Sequence, residues 1–207
     1  MEKPCAPTRR EREKKFRVEL VLDAAFRVFS EKPFAKASVE EIAAAAEMSV
    51  GTLYSLFETK GEIYRALISR QQTTFYDYVN ARIDGAPDPK AKIHAAIVSS
   101  FESFVKRARG WQLHAASMAG FELGTRRQLL NEARATSEAT SSRVVAACQD
   151  GVEIGVFKAG VDPGLMGLTI MMIPQAYIGY VFDHMETDIM SLVPSALEAA
   201  DRVVGAD

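Results

Sequence analysis

Residues 34–67 read FAKASVEEIAAAAEMSVGTLYSLFETKGEIYRAL, and this stretch decides the fold. Its apolar positions keep helical spacing on both sides of a short break. Val39, Ile42 and Ala46 share one face before the break, and Val50, Leu53 and Phe57 share one face after it. Ser38 is placed to cap the first helix, and Glu41, three residues on, completes a capping box. The break itself, Glu47-Met48-Ser49, is short, and Ser49 is placed to cap the second helix. Two short helices on a tight turn predict a helix-turn-helix. The second helix, expected over Val50–Phe57, exposes Gly51, Thr52, Tyr54 and Ser55, small or hydrogen-bonding residues that suit a DNA major groove.

An ordinary helical hairpin would show the same apolar spacing, so the polar details carry the functional reading. Gly51 falls in the first turn of the second helix, where glycine costs helix stability but lets a phosphate or base edge approach the backbone. Tyr54 and Ser55 lie off the Leu53/Phe57 packing face and offer hydroxyls to phosphates. Thr59 is placed to cap the next helix, and Lys60 opens it. Orphan N–H groups and a cation together favour a phosphate there.

Three segments, VLDAAFRVF at 21–29, SVEEIA at 38–43 and SVGTLYSLFETK at 49–60, resemble the N-terminal domain of TetR-type transcriptional regulators in order and spacing. The resemblance spans residues 14–68 in detail. It implies an all-α protein, with an N-terminal three-helix DNA-binding domain and a larger C-terminal helical domain for ligand binding and dimerisation. It further implies a homodimeric, ligand-responsive regulator, a repressor, that binds a palindromic double-stranded DNA operator. The DNA-binding set expected here is Arg17, Ser38, Ser49, Val50, Gly51, Thr52, Tyr54, Ser55 and Lys60. Three positions depart from the family pattern. Lys32-Pro33 stands where a glycine often follows the first helix. Glu47 replaces the frequent turn glycine. Leu56 replaces an aromatic or polar residue, which removes a possible DNA contact.

The net charge of -2 does not mark a nucleic-acid binder, but its distribution does. Residues 1–17 carry seven cations against three acids, a net +4, whereas residues 162–207 hold Arg202 against seven acids, a net -6. One end suits phosphates and the other repels them. The 48% hydrophobic content is enough for a sizeable core. Two cysteines, Cys5 and Cys148, make no disulfide framework and point to a reducing, cytoplasmic setting. The charged start of the chain has no apolar stretch of a secretory signal.

The expected organisation is a flexible basic tail over 1–12, the DNA-binding domain over 13–61, and the effector and dimerisation domain over 62–207. The first helix is expected from Glu13 to Glu31, with Phe16, Leu20, Ala24 and Phe29 as its apolar stripe and Pro33 as its stop. Further helices are expected over 62–83, 89–107, 111–123 and 126–153. Two more are expected over 163–182 and from Ser191, the last with Val193, Leu197, Ala200 and Val204 as its stripe. The segment Pro163–Phe182 has no formal charge and is long enough to span a membrane. Pro174-Gln175 at its centre, the flanking Asp162 and Asp183, and the lack of a basic cluster argue instead for a helix buried in a dimer, with no membrane partner.

Large deformable side chains recur between Tyr76 and Phe182. Phe101, Trp111, Met118, Phe121, Met171, Met172, Gln175 and Tyr177 are the candidate lining of a pocket for a small apolar or aromatic effector. The three histidines are scattered, so no metal site is expected, and no cofactor loop is present. No Gly-x-Ser-x-Gly nucleophile turn occurs, so no enzyme is expected. The competing reading is a helical small-molecule-binding protein or enzyme with no DNA-binding role.

Overall fold

The computed structural model describes residues 8–106, 123–184 and 186–205. Within them the chain forms α1 (Arg9–Glu31), α2 (Val39–Ala45), α3 (Val50–Tyr54), α4 (Lys60–Asp84) and α5 (Pro89–Lys106). There follow α6 (Leu123–Glu153), α7 (Pro163–Asp183), a 3-10 turn (Ile189–Leu192) and α8 (Val193–Val204). No strand occurs among the described residues. The protein is all-α, as the periodicity predicts. The helix expected over 111–123, with Trp111, Met118 and Phe121, lies outside the described residues.

The described residues divide into two compact units, one of residues 8–71 and 123–129, the other of 72–106, 130–184 and 186–205. The core of the first unit gathers Val21, Ala25 and Phe29 of α1, Ile42 of α2, Leu53 of α3, and Ile63, Tyr64 and Leu67 of α4. Phe29, Phe34 and Tyr64 meet as an aromatic trio, the ring of Tyr64 standing edge-on to both phenylalanines at 5.0 and 5.2 Å.

Two expectations for α1 need correction. It begins at Arg9, four residues before the predicted start, because Thr8 and Glu11 form a capping box that the sequence reading missed. Its buried stripe is also different. Phe16 is 65% exposed and Leu20 37% exposed, whereas Val21, Ala24, Ala25 and Val28 face the core. A line of i, i+4 steps rotates about 40° around the helix per step, so Phe16 and Leu20 lie off the face that Ala24 shares with Val21 and Val28.

In the second unit α5 packs against α7 and α8, with Ile93, Ile97, Phe101 and Phe104 buried as its spacing predicts. Asp162 caps α7, its carboxylate accepting from the Leu165 N–H at 3.0 Å. Gly167 lets α7 approach α6: a Cβ there would sit 2.6 Å from Val145 Cγ2 and 3.1 Å from Val145 Cα. Asn80 accepts from the Thr140 hydroxyl at 2.7 Å, and Asp84 takes two guanidinium N–H groups of Arg143 at 2.8 and 3.1 Å, tying this part of α4 to α6. The Arg143 guanidinium holds the Asp84 carboxyl below its usual range. His94 and Asp201 meet at 2.7 Å and tie α5 to α8.

Candidate nucleic-acid interface

The turn between α2 and α3 decides how α3 is presented. Ser38 accepts from the Glu41 N–H at 3.1 Å and Glu41 accepts from the Ser38 N–H at 3.0 Å, closing the predicted capping box. At the far end of α2 the Met48 N–H reaches the Ala43 carbonyl at 2.9 Å and the Glu47 N–H reaches that of Ala44 at 3.1 Å. These two bonds are a Schellman motif, and they require a left-handed residue between them. That residue is Glu47, at φ 55°. The turn keeps the geometry a glycine would give, with a strained non-glycine residue in it.

Ser49 then caps α3, its hydroxyl accepting from the Thr52 N–H at 3.1 Å and meeting Thr52 Oγ1 at 2.8 Å. α3 is only five residues long, shorter than the predicted Val50–Phe57. Leu56 and Phe57 follow it in a turn and pack against the core, so Leu56 is an inward residue and offers no outer contact. Leu53 is fully buried, while Ser49, Gly51, Ser55 and Tyr54, the last 48% exposed, face outward, with Val50 and Thr52 half-buried. Gly51 has open space around it: a Cβ there would meet nothing nearer than Ser49 Oγ at 3.9 Å. No contact inside the protein requires glycine at this position.

Lys60 sits at the start of α4, but its ammonium donates to the carbonyls of Phe34 at 2.8 Å and Ala37 at 2.7 Å and lies 4.5 Å from the centre of the Phe34 ring. It fastens the α1–α2 connection to α4, with one of its three N–H groups left. Arg27, which the sequence reading passed over, donates to the Ala45 carbonyl at 3.2 Å and ties α1 to the end of α2. Arg70 holds Glu19 and Asp23, both at 2.9 Å. Lys32 bonds Glu41 at 2.6 Å and holds its carboxyl below the usual range. Lys32 itself has extended backbone at φ -148° and ψ 151°, so a glycine is not required after α1. Arg17 is exposed on α1, and Ser38 is half-buried in its cap.

In the second unit a small cleft is lined by Phe75, Tyr76, Val79, Ile97, Ser100, Thr140, Ile170, Met171, Pro174 and Gln175. Of the predicted pocket residues it contains Met171 and Gln175. Phe101 is core, its ring 5.9 Å from that of Tyr177, whose hydroxyl meets Ser195 at 2.8 Å. Met172 is 56% exposed on the outer face of α7. The residues sequence reasoning missed, Phe75, Val79 and Ile97, looked like plain helix stripe; only the packing of α4, α5 and α7 turns them to one cleft. Leu165, Leu168, Met172 and Tyr180 form an open apolar face on α7, opposite its buried face of Met166, Ile170, Pro174 and Ile178.

Residues 21–67 match the family described as bacterial regulatory proteins, tetR family. The N-terminal domain belongs to the TetR family. No curated protein matches the chain in sequence. Solved TetR-type structures share the fold over most of the chain. FadR from Bacillus subtilis, in complex with stearoyl-CoA, is 22% identical with a TM-score of 0.74, over 91% of this chain and 98% of that one. A TetR/AcrR-family regulator from Thermobifida fusca is 16% identical with a TM-score of 0.73, over 89% and 96%. AibR, in complex with isovaleryl coenzyme A and operator DNA, is 15% identical with a TM-score of 0.65, over 92% and 100%. The departures of this TetR-type domain at Lys32 and Glu47 leave the helix-turn-helix intact.

Proposed function

We propose that the protein is a cytoplasmic, homodimeric, ligand-responsive repressor that reads a palindromic DNA operator. The observation that carries this is the outer face of α3. Gly51 opens a patch of backbone that nothing in the protein fills, ringed by the hydroxyls of Ser49, Thr52, Tyr54 and Ser55. Thr52 and the Gly51 backbone are the base-edge candidates, while Ser38, Tyr54, Ser55 and Arg17 are placed for phosphates. Lys60 acts first by holding the α1–α2 connection and then through its remaining N–H.

The open apolar face of α7 supports the dimer. Leu165, Leu168 and Met172 are each more than half exposed on a helix with no formal charge before Asp183. A second copy covers such a face without a desolvation cost, and two-fold symmetry then calls for a palindromic site. The cleft around Val79, Ile97, Ile170 and Met171 supports an effector with an apolar body. FadR and AibR hold acyl-CoA thioesters, so acyl-CoAs are the first effectors to try. The effector acts by binding more tightly to the conformation that does not hold DNA, a coupling of roughly 1–3 kcal/mol.

The test is selection of duplexes from a random pool by the pure protein, sequencing, and measurement of retention with and without acyl-CoAs of different chain length. A palindromic consensus that is released by one of them is the expected result. Retention without any sequence preference, together with tight acyl-CoA binding, would favour a small-molecule carrier.

A further inference from the structure

All nine residues of α1 from Arg9 to Arg17 are exposed. A helix standing clear of its core is marginal unless something else supports it. Here its two acids do so. Glu11 closes the capping box with Thr8, and Glu13 pairs with Arg9 at 2.8 Å. The carboxylates are thereby engaged within the helix. Arg10, Lys14 and Arg17 have no acid within ion-pair distance among the described residues.

These three cations share one stripe. At 3.6 residues per turn they fall within about 60° of one another, and the stripe is about 10 Å long. We propose that Arg10, Lys14 and Arg17 form a second DNA contact that grips the phosphate backbone outside the base pairs read by α3. This rests on the DNA-binding reading above. The choice of partner follows from charge and length: one strand presents a phosphate every 3.4 Å or so along the duplex, so the stripe faces about three of them. It carries no amide and no hydroxyl, so it adds affinity and salt dependence without adding sequence preference.

The variant Arg10→Gln/Lys14→Gln tests this, since neither residue takes part in the cap or an ion pair of α1. On a long duplex containing the selected operator, the slope of log K against log salt becomes shallower by about 1.8 units, at about 0.9 per contact. The selected consensus, the circular dichroism and the melting temperature stay those of the parent. On a duplex trimmed to the two half-sites the difference between parent and variant disappears. A variant that keeps the parent's slope on the long duplex overturns the inference, while an operator still selected by the parent leaves the DNA-binding reading standing. A parent that binds all duplexes alike, yet loses slope on mutation, does the reverse. If the variant instead loses binding to phosphatidylserine vesicles and keeps the parent's DNA slope, the stripe is a membrane contact and the inference is wrong.

Discussion

α3 and α7 both leave a face open, and they do so with opposite chemistry. The open face of α3 is a bare backbone at Gly51 ringed by hydroxyls; that of α7 is Leu165, Leu168, Met172 and Tyr180. A polar face loses little by staying in water, so its form needs an explanation beyond solubility. An apolar face of this kind loses stability by staying in water, so its explanation is a cover. Exposure alone therefore says nothing about the partner: hydrogen-bonding capacity on one helix and its absence on the other separate a nucleic-acid surface from a self-association surface.

The largest effect that would break this contrast comes from Leu168→Glu. Leu168 is 58% exposed, so the single chain tolerates the change, but a dimer built on α7 would bury two unpaired charges at a cost of several kcal/mol. Sedimentation should show monomers, and operator affinity should fall by about 100-fold or more, equivalent to roughly 2.7 kcal/mol. A dimer with parental affinity would move the interface off α7.

Next in size is Lys60→Ala. It leaves the Phe34 and Ala37 carbonyls without their donor, at about 1–3 kcal/mol. Melting temperature and DNA affinity should fall together. A drop in affinity at parental melting temperature would place Lys60 on a phosphate alone. Thr52→Ala should act on specificity instead, weakening preference at one or two base pairs by about 1 kcal/mol with dimerisation untouched. Unchanged preference would remove Thr52 from the reading face.

Glu47→Gly should raise stability by about 1 kcal/mol, because glycine meets no steric penalty at φ 55°. Operator binding should be retained, and a loss of stability would show that the Glu47 side chain has a role of its own. The smallest effect concerns pH. The Lys32 bond depresses the Glu41 pKa, so its contribution is present above the ordinary glutamate value of 4.5 and fades as pH falls through the depressed value. Lys32→Gln should flatten the acid limb of a stability profile, and an unaltered limb would show that the pair adds nothing.

Local rules made much of the first unit legible. Ser38, Glu41 and Ser49 cap as their spacing says, and Val39, Ile42 and Leu53 are buried as their periodicity says. Asp162 and the α5 stripe follow the same rules in the second unit. What escaped was set by partners far along the chain. The Lys60 side chain is drawn to carbonyls more than twenty residues away, Arg70 to acids of α1, and Arg27 to the end of α2. No window of sequence contains both members of those pairs. The misassigned α1 stripe has a different cause: Phe16 is apolar and well spaced, but no other helix comes to cover it. The cleft residues escaped for a related reason, since a stripe that lines a space and a stripe that fills one have the same spacing.

Cys148 is fully buried on α6, and burial pushes its thiol up to about 11. In the folded chain the sulfur is therefore both shielded and protonated, and an alkylating reagent needs neither condition but the thiolate in solvent. Because the sequence has only one other cysteine, Cys5, a Cys5→Ser chain would carry a single chemical clock. Its labelling rate would count how often the second unit opens, and any effector or second copy that holds that unit closed would slow the clock by the factor with which it binds.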